Sequence, residues 1–413
     1  MSDRPSSLRR WLRRHSLTVV AALGGAAGVA YAAGRHVGSP SAGPAAVPAS
    51  SVVTGPARPA EPPRDTVQDT VQIAILLDTS SSMDGLINQA RSHLWSMVDE
   101  MGRMTRVVND KTRGVRVELA LYEYGHSTLP QADGYIRQVL PLTTDLDRVS
   151  EELNRLSTNG GDEYAGQAIL KAVTSLQWSA DPAALRFVFV AGNEEFDQGP
   201  VSAKEATAAA QARDINVQLI YCGLSEPSWS AAARLAKTDL VTIDQNHVAQ
   251  HIPAPQDAEI LRLGAQLNDT YMAYGAGGAA ALVRQKSADA ASAQLSPKVA
   301  LERAQLKRKG TYRNESWDLV DAAEKDGAFL AKAGDEQLPA ELRGRSLEEK
   351  QRVVADRSAE RAKLKARIGE LEAERNAFLA KEQAGHAGPA VKSLETEMTK
   401  SAKKQAASKG YRF

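Results

Sequence analysis

From Thr66 to about Ile252 the hydrophobic pattern switches repeatedly between two periods. Short continuous apolar runs read as buried strands: VQIAILLD, VRVELALYEY, RFVFVAG, VQLIYCG and DLVTID, with YIRQVLPL as one more. Between them apolar residues fall three and four apart. GLINQARSHLWSMVDEM lines up Leu86, Ala90, Leu94, Met97 and Met101 on one side of a helix. Leu146 to Leu156, AGQAILKAVTSL, SAKEATAAAQARD and WSAAARLA are further helices, and STNGGDEY is a turn. Strands apolar throughout are covered on both faces, and their alternation with helices implies parallel pairing. The pattern predicts an α/β fold over residues 67–252: a doubly wound, mostly parallel sheet flanked by helices.

Beyond Ile252 the chain reads as an α-helical C-terminal extension. Residues 253–345 open with a helix from about Asp257 to Tyr274, ending near Gly275. Gly275-Ala276-Gly277-Gly278 is a tight turn and not a phosphate loop, since no Gly-Lys-Ser/Thr comes after it. Residues 346–385 hold a long charged helix, Leu347 to Glu382. Its Leu364, Ile368, Leu371 and Phe378 keep heptad spacing, but Lys350 and Arg357 occupy the same positions upstream. Such a short seam either packs back on the domain, the favoured reading, or joins two chains as a coiled coil. Residues 386–413 read as a final amphipathic helix, through Val391, Leu394 and Met398, with a tail.

Composition changes this picture mainly at the N-terminus. Arg9, Arg10, Arg13 and Arg14 precede an apolar stretch from Leu17 to Ala33 with a small-residue Ala30-Tyr31-Ala32 site. Residues 1–34 therefore read as a cleaved signal peptide or a retained N-terminal membrane anchor. Either would place the rest of the chain outside the cytoplasm, periplasmic or membrane-anchored. Residues 35–66 are a Pro/Ala/Ser-rich linker. The net charge of +1 and 5% aromatic residues give no basic stripe with interleaved aromatics, so no nucleic-acid partner is expected. Cys222 is the only cysteine, which excludes an internal disulfide.

The chemistry concentrates where the first strand stops, in IAILLDTSSSMDGL. Open parallel sheets bind ligands outside the carboxyl ends of their strands. There Asp78 is followed by Ser80 and Ser82 in the strand-to-helix turn, so one carboxylate and two hydroxyls can converge. An all-oxygen set suits a hard cation, Mg²⁺ or Mn²⁺, and not zinc. The competing explanation is a serine-rich helix cap with Ser82 or Asp84 as the capping residue.

Asp78-Thr79-Ser80-Ser81-Ser82, in this strand and helix order, resembles the metal-ion-dependent adhesion site (MIDAS) of von Willebrand factor type A (VWA) domains. The resemblance implies two more contributing loops. A threonine is expected after glycines in the second; Thr158-Asn159-Gly160-Gly161-Asp162-Glu163 puts Asp162 there, as a ligand, as the cap of a helix starting near Tyr164, or as both. An aspartate is expected in the third. Gly192 takes its place, leaving Asn193 or Glu194 to substitute. AGNEEFDQGPV, YEYG, TNGGDEY, IYCG and NESWDLVDA extend the resemblance to exported bacterial VWA proteins with a helical C-terminal extension.

The resemblance implies a binding protein, not an enzyme. A protein partner would reach the cation through an acidic side chain, at the cell envelope. The alternatives are a metal-independent scaffold with a degenerate site, which the Gly192 departure favours, and a metal-assisted hydrolase. The hydrolase would need His126, Glu163 or Glu194 as its base. His247 and His251 lie one helical turn apart, but no metalloprotease glutamate accompanies them and Pro253 comes directly after, so they read as surface histidines.

Overall fold

The computed structural model describes residues 67–246, 251–384 and 394–413. Strand β1 (Asp69–Asp78) leads into helix α1 (Asp84–Gly102). Next is a hairpin, β2 (Thr105–Val108) and β3 (Lys111–Arg113), which the hydrophobic pattern does not announce. Its two turn residues, Asn109 and Asp110, take φ of 49° and 60°, the positive values a two-residue hairpin turn needs. After it come β4 (Val115–Tyr124), β5 (Ile136–Thr143), α2 (Leu146–Arg155) and α3 (Ala165–Ser175). Then β6 (Leu185–Gly192), α4 (Ala203–Gln211), β7 (Asn216–Tyr221), α5 (Pro227–Ala236) and β8 (Val241–Thr242) finish the main sheet. Its order is β5-β4-β1-β6-β7-β8, parallel except where β5 runs antiparallel to β4.

β1 lies inside this sheet, and its side chains alternate between two cores. Ile73, Ile75 and Leu77 meet Leu86, Leu94 and Met97 of α1 on one face. Ala74 and Leu76 meet Ala168 and Ile169 of α3 on the other. Both faces being buried is why the run VQIAILL carries no polar alternation after Gln72.

The remaining helices are α6 (Asp257–Asn268), α7 (Gly278–Leu295), α8 (Pro297–Lys307), α9 (Leu319–Lys325), α10 (Phe329–Lys332), α11 (Leu347–Ala384) and α12 (Leu394–Ser408), before a short β9 (Tyr411–Arg412). α6, α7, α8, α11 and α12 extend the α1-side core, since Ile260, Ala281, Leu301, Ile368 and Met398 all belong to it, while Leu319 of α9 and Leu330 of α10 pack with Val354 of α11 in a separate small core. α6 stops at Asn268, short of the expected Tyr274. The backbone after it is taken by side chains: Arg361 donates to the Thr270 carbonyl at 2.7 Å, and the Met272 N–H donates to Asp318 at 2.7 Å. Residues 272–274 then run extended beside Trp317–Leu319. The heptad residues Ile368 and Leu371 of α11 are buried against the chain's own helices, with Leu364 packed beside them, so the seam is used internally. Gly275 takes φ of 70° in the turn before α7. At the C-terminus, Leu394, Met398, Ala402 and Ala406 of α12 are buried, and β9 pairs with β2.

The N-terminal signal or anchor, the linker, Val391 and His247 lie outside the described residues. Among the described residues no helix is long and apolar enough to cross a membrane.

A buried ionic web joins the extension to the sheet region. Arg303 of α8 contacts Asp147 of α2 at 2.6 Å and Asp289 of α7 at 2.7 Å, and its guanidinium stacks 4.4 Å over the Trp95 ring of α1. Lys307 contacts Asp289 at 2.6 Å, and the Tyr312 hydroxyl donates to Asp147 at 2.6 Å. Burial pushes the Asp289 carboxyl up, but Arg303 and Lys307 outweigh it and hold the group at about 2. A carboxyl depressed in the folded state stabilises it above the unfolded pKa, and the contribution is lost as pH falls through the folded value. Asp289→Asn is therefore expected to cost about 2 kcal/mol in urea unfolding at neutral pH. The gap from the unmutated protein should narrow from about pH 4 downward, and a gap insensitive to acid would contradict the pairing.

Candidate metal centre

β1 delivers Asp78 to the carboxyl end of the sheet fully buried. The turn after it is pinned from below: the Thr79 N–H and hydroxyl both donate to the Tyr124 carbonyl, at 2.8 Å and 3.1 Å. This fixes Ser80, whose N–H donates to Asp78 Oδ1 at 2.7 Å. The Ser80 and Ser82 hydroxyl oxygens lie 3.5 Å apart. Ser82 Oγ donates to Asn193 Oδ1 at 3.2 Å, which ties the first loop to the third. The helix-cap explanation does not describe this turn, because α1 has Met83 at its N-cap and no side-chain cap there.

The second loop docks through its backbone, with the Asn159 N–H donating to the Thr79 carbonyl at 3.0 Å. From there the chain turns Glu163 inward and leaves Asp162 exposed. Asp162 accepts from the Tyr164 hydroxyl at 3.3 Å and has no described contact with Asp78 or the serines; nor does it cap α3. Glu163 is buried within hydrogen-bonding reach of Asp78. The two carboxyls are packed around Gly125, at φ of 80°: a Cβ there would fall 2.9 Å from both Asp78 Oδ1 and Glu163 Cγ. Glu194 sits outside them, exposed, accepting from Asn193 at 3.4 Å.

Burial raises both carboxyls. For Asp78 the lift is offset in part by Glu163 and by hydrogen bonds from Ser80 and the Asn193 backbone. For Glu163 the Asp78 carboxylate adds to the lift. Asp78 Oδ2 is buried with no N–H or hydroxyl donor. A proton shared with Glu163, a bound water or a cation would satisfy it. The surrounding donors are Ser80, Ser82, Glu163 and Asn193, all oxygen, and this chemistry fits a hard divalent cation. Among the described residues no group of three or more His, Cys, Asp or Glu forms a metal cluster, so any ion here depends on the hydroxyls as well.

The Gly192 departure has a steric cause. A Cβ at this position would lie 2.5 Å from the Tyr124 hydroxyl and 3.2 Å from Asp78 Oδ2. Tyr124 is buried and donates to the Ala191 carbonyl at 2.9 Å, filling the space a third-loop side chain would need. His126 is half-buried in the β4–β5 loop and engages Thr128 at 2.8 Å, with no described contact to Asp78. His251 pairs with Asp257 at 3.2 Å, away from the site's contacts.

Residues 72–254 match the family model of the von Willebrand factor type A domain. This region is a VWA domain. Similar solved structures include proximal thread matrix protein 1 from the mussel byssus, 12% identical with a TM-score of 0.32, over 42% of this chain and 41% of that one. A second structure of that protein, with the same figures, has a zinc-occupied MIDAS motif. The SpRpn10 VWA domain is 14% identical with a TM-score of 0.30, over 43% of this chain and 88% of that one. The chain thus spans about two fifths of the length of the byssus protein it matches. No curated protein matches it.

Glu163 is the member of this cluster that sequence reasoning placed only as a candidate base. Counting residues after the glycines selects Asp162. The loop is held by the Asn159 N–H on the Thr79 carbonyl and by the Glu163 N–H on Gln198 Oε1 at 3.1 Å, long-range contacts that residue counting does not reveal. Gly192→Ala should destabilise the VWA domain by about 1–3 kcal/mol through overpacking against Tyr124. Tyr124→Phe in the same chain should recover part of that loss in a thermal melt, and strictly additive losses would place the clash elsewhere.

Proposed function

We propose that this VWA domain is a divalent-cation-dependent protein-binding module, exported and held at the cell envelope, and not an enzyme. One observation carries the cation reading: a fully buried Asp78 whose Oδ2 lacks a donor, facing Glu163 beneath two serine hydroxyls. Asp78, Ser80, Ser82 and Glu163 would hold Mg²⁺ or Mn²⁺, with Asn193 contributing from the third loop. Bound there, the cation supplies a positive point for an acidic side chain of a partner protein. Export is read from the basic flank and apolar stretch before residue 34. A hydrolytic role finds less support, because His126 is engaged with Thr128 and Glu163 is buried against Asp78.

Calorimetric titration of Mg²⁺ and Mn²⁺ into the full chain tests the reading. Saturable binding is expected in the unmutated protein and none in Asp78→Ala. Glu163→Gln should weaken it by about tenfold or more, while Asp162→Asn, altering an exposed group, changes it far less. Bound cation should also raise the melting temperature, because a ligand taken only by the folded state stabilises it. Heats and melting curves indifferent to both ions would leave the domain as a scaffold.

A further inference from the structure

Six loop segments gather at the carboxyl end of the sheet: 79–83, 125–135, 156–164, 193–202, 222–226 and 243–246. Together they carry eight carboxylates and no lysine or arginine. The whole chain has a net charge of +1, so this acidity belongs to one end of the molecule. Several basic side chains from nearby elements are occupied, while Lys204, exposed at the second position of α4, has no ion-pair partner among the described residues. Arg91 donates to the carbonyls of Leu153 and Leu156, Arg137 pairs with Glu123 at 2.6 Å, and Lys171 lies 3.8 Å from Asp133. Glu226 accepts from the Trp229 N–H at the start of α5. Glu194, Glu195 and Asp197 are exposed and have no ion-pair partner among the described residues.

Two independent features mark this end as a binding face. Asp78 is fully buried at its floor with Oδ2 unpartnered. Leu224, at the β7–α5 turn, is 96% exposed, far more than the other large apolar residues of the surface. That turn is tied to the third loop: the Cys222 N–H donates to the Gly192 carbonyl at 2.8 Å, and Trp229 Nε1 donates to the Glu194 carbonyl at 2.6 Å. The leucine and the acidic third loop thus belong to one braced surface.

A carboxylate approaching the centre must pass this rim. At physiological salt, charges within about 8 Å act on it with little screening, and like-charge juxtaposition disfavours docking. A wholly acidic partner is therefore the wrong complement. We propose, resting on the cation-dependent reading of the site, that the partner is a protein segment whose single acidic residue is flanked by lysines or arginines, with an apolar residue to cover Leu224. The flanking cations meet Glu194, Glu195 and Asp197 while the carboxylate reaches the centre.

Two labelled peptides test this on the full chain in Mg²⁺ by fluorescence anisotropy. Each has a Leu-Asp centre; one has two lysines on either side and the other two glutamates. The lysine peptide should bind at least about tenfold more tightly at about 50 mM salt, and that preference should shrink at about 300 mM. Glu195→Lys with Asp197→Lys should abolish the preference, and the milder pair Glu195→Gln with Asp197→Asn should reduce it, with Mg²⁺ binding retained in both. Equal affinities, a glutamate preference, a preference that both variants leave intact, or no binding of either peptide overturns the proposal. The cation reading fails separately: a lysine preference that survives chelation and an Asp-to-Asn change at the peptide centre keeps the acidic docking face and removes the metal from it.

Discussion

Arg303 is where the two halves of this protein become one structure. Its guanidinium is shared by Asp147 of the sheet region and Asp289 of the extension, and it sits over the Trp95 ring of α1. Removing so many charges from water is costly, and only close pairing on several sides offsets it. Loss of one partner would leave a buried charge uncompensated, so α2, α7, α8 and α1 hold one another in place. α1 begins directly after the serine turn, so the extension reaches the candidate metal centre through a helix that both share. The Trp95 indole reinforces the join by donating to Ser292 of α7 at 2.8 Å.

A second charged clasp does similar work farther along. Arg361 of α11 donates to Asp318, Asp321 and both oxygens of Thr270, and stacks 4.1 Å from the Tyr271 ring. It ties the segment after α6 to the long helix. With Ile368 and Leu371 buried farther along the same helix, α11 is a strut of its own domain. α12 completes the α1-side layer from the far end of the chain, and β9 fastens the last residues to β2.

Much of this was legible in the sequence, because burial on both faces leaves a plain record. The uninterrupted apolar strands, the helices between them and the catch of oxygen ligands after β1 all come from hydrophobic period and strand-end chemistry. The features that escaped depend on long-range contacts. The Asn109-Asp110 hairpin has only a three-residue second strand, too short to show alternation. Just past the end of α6, the Thr270 carbonyl is taken by Arg361, about ninety positions away. Glu163 is turned inward in a loop held by long-range contacts to Thr79 and Gln198, and Gly192 is required by the hydroxyl of a tyrosine on another strand.

That last pair of differences is a compensation when the charges are counted. The VWA pattern implied by the serine motif takes a carboxylate from the first loop, a neutral hydroxyl from the second and a carboxylate from the third. Here Tyr124 fills the space of the third-loop carboxylate, and the neutral amide of Asn193 stands beside it, bonded to Ser82. The second loop contributes Glu163 where a neutral group is expected, against Asp78. The number of carboxylates facing the centre stays at two, moved from one loop to another. Two buried carboxyls within reach of each other burden the fold unless a shared proton or a cation lies between them. The exchange keeps at the centre the two carboxyls that the proposed divalent cation would balance.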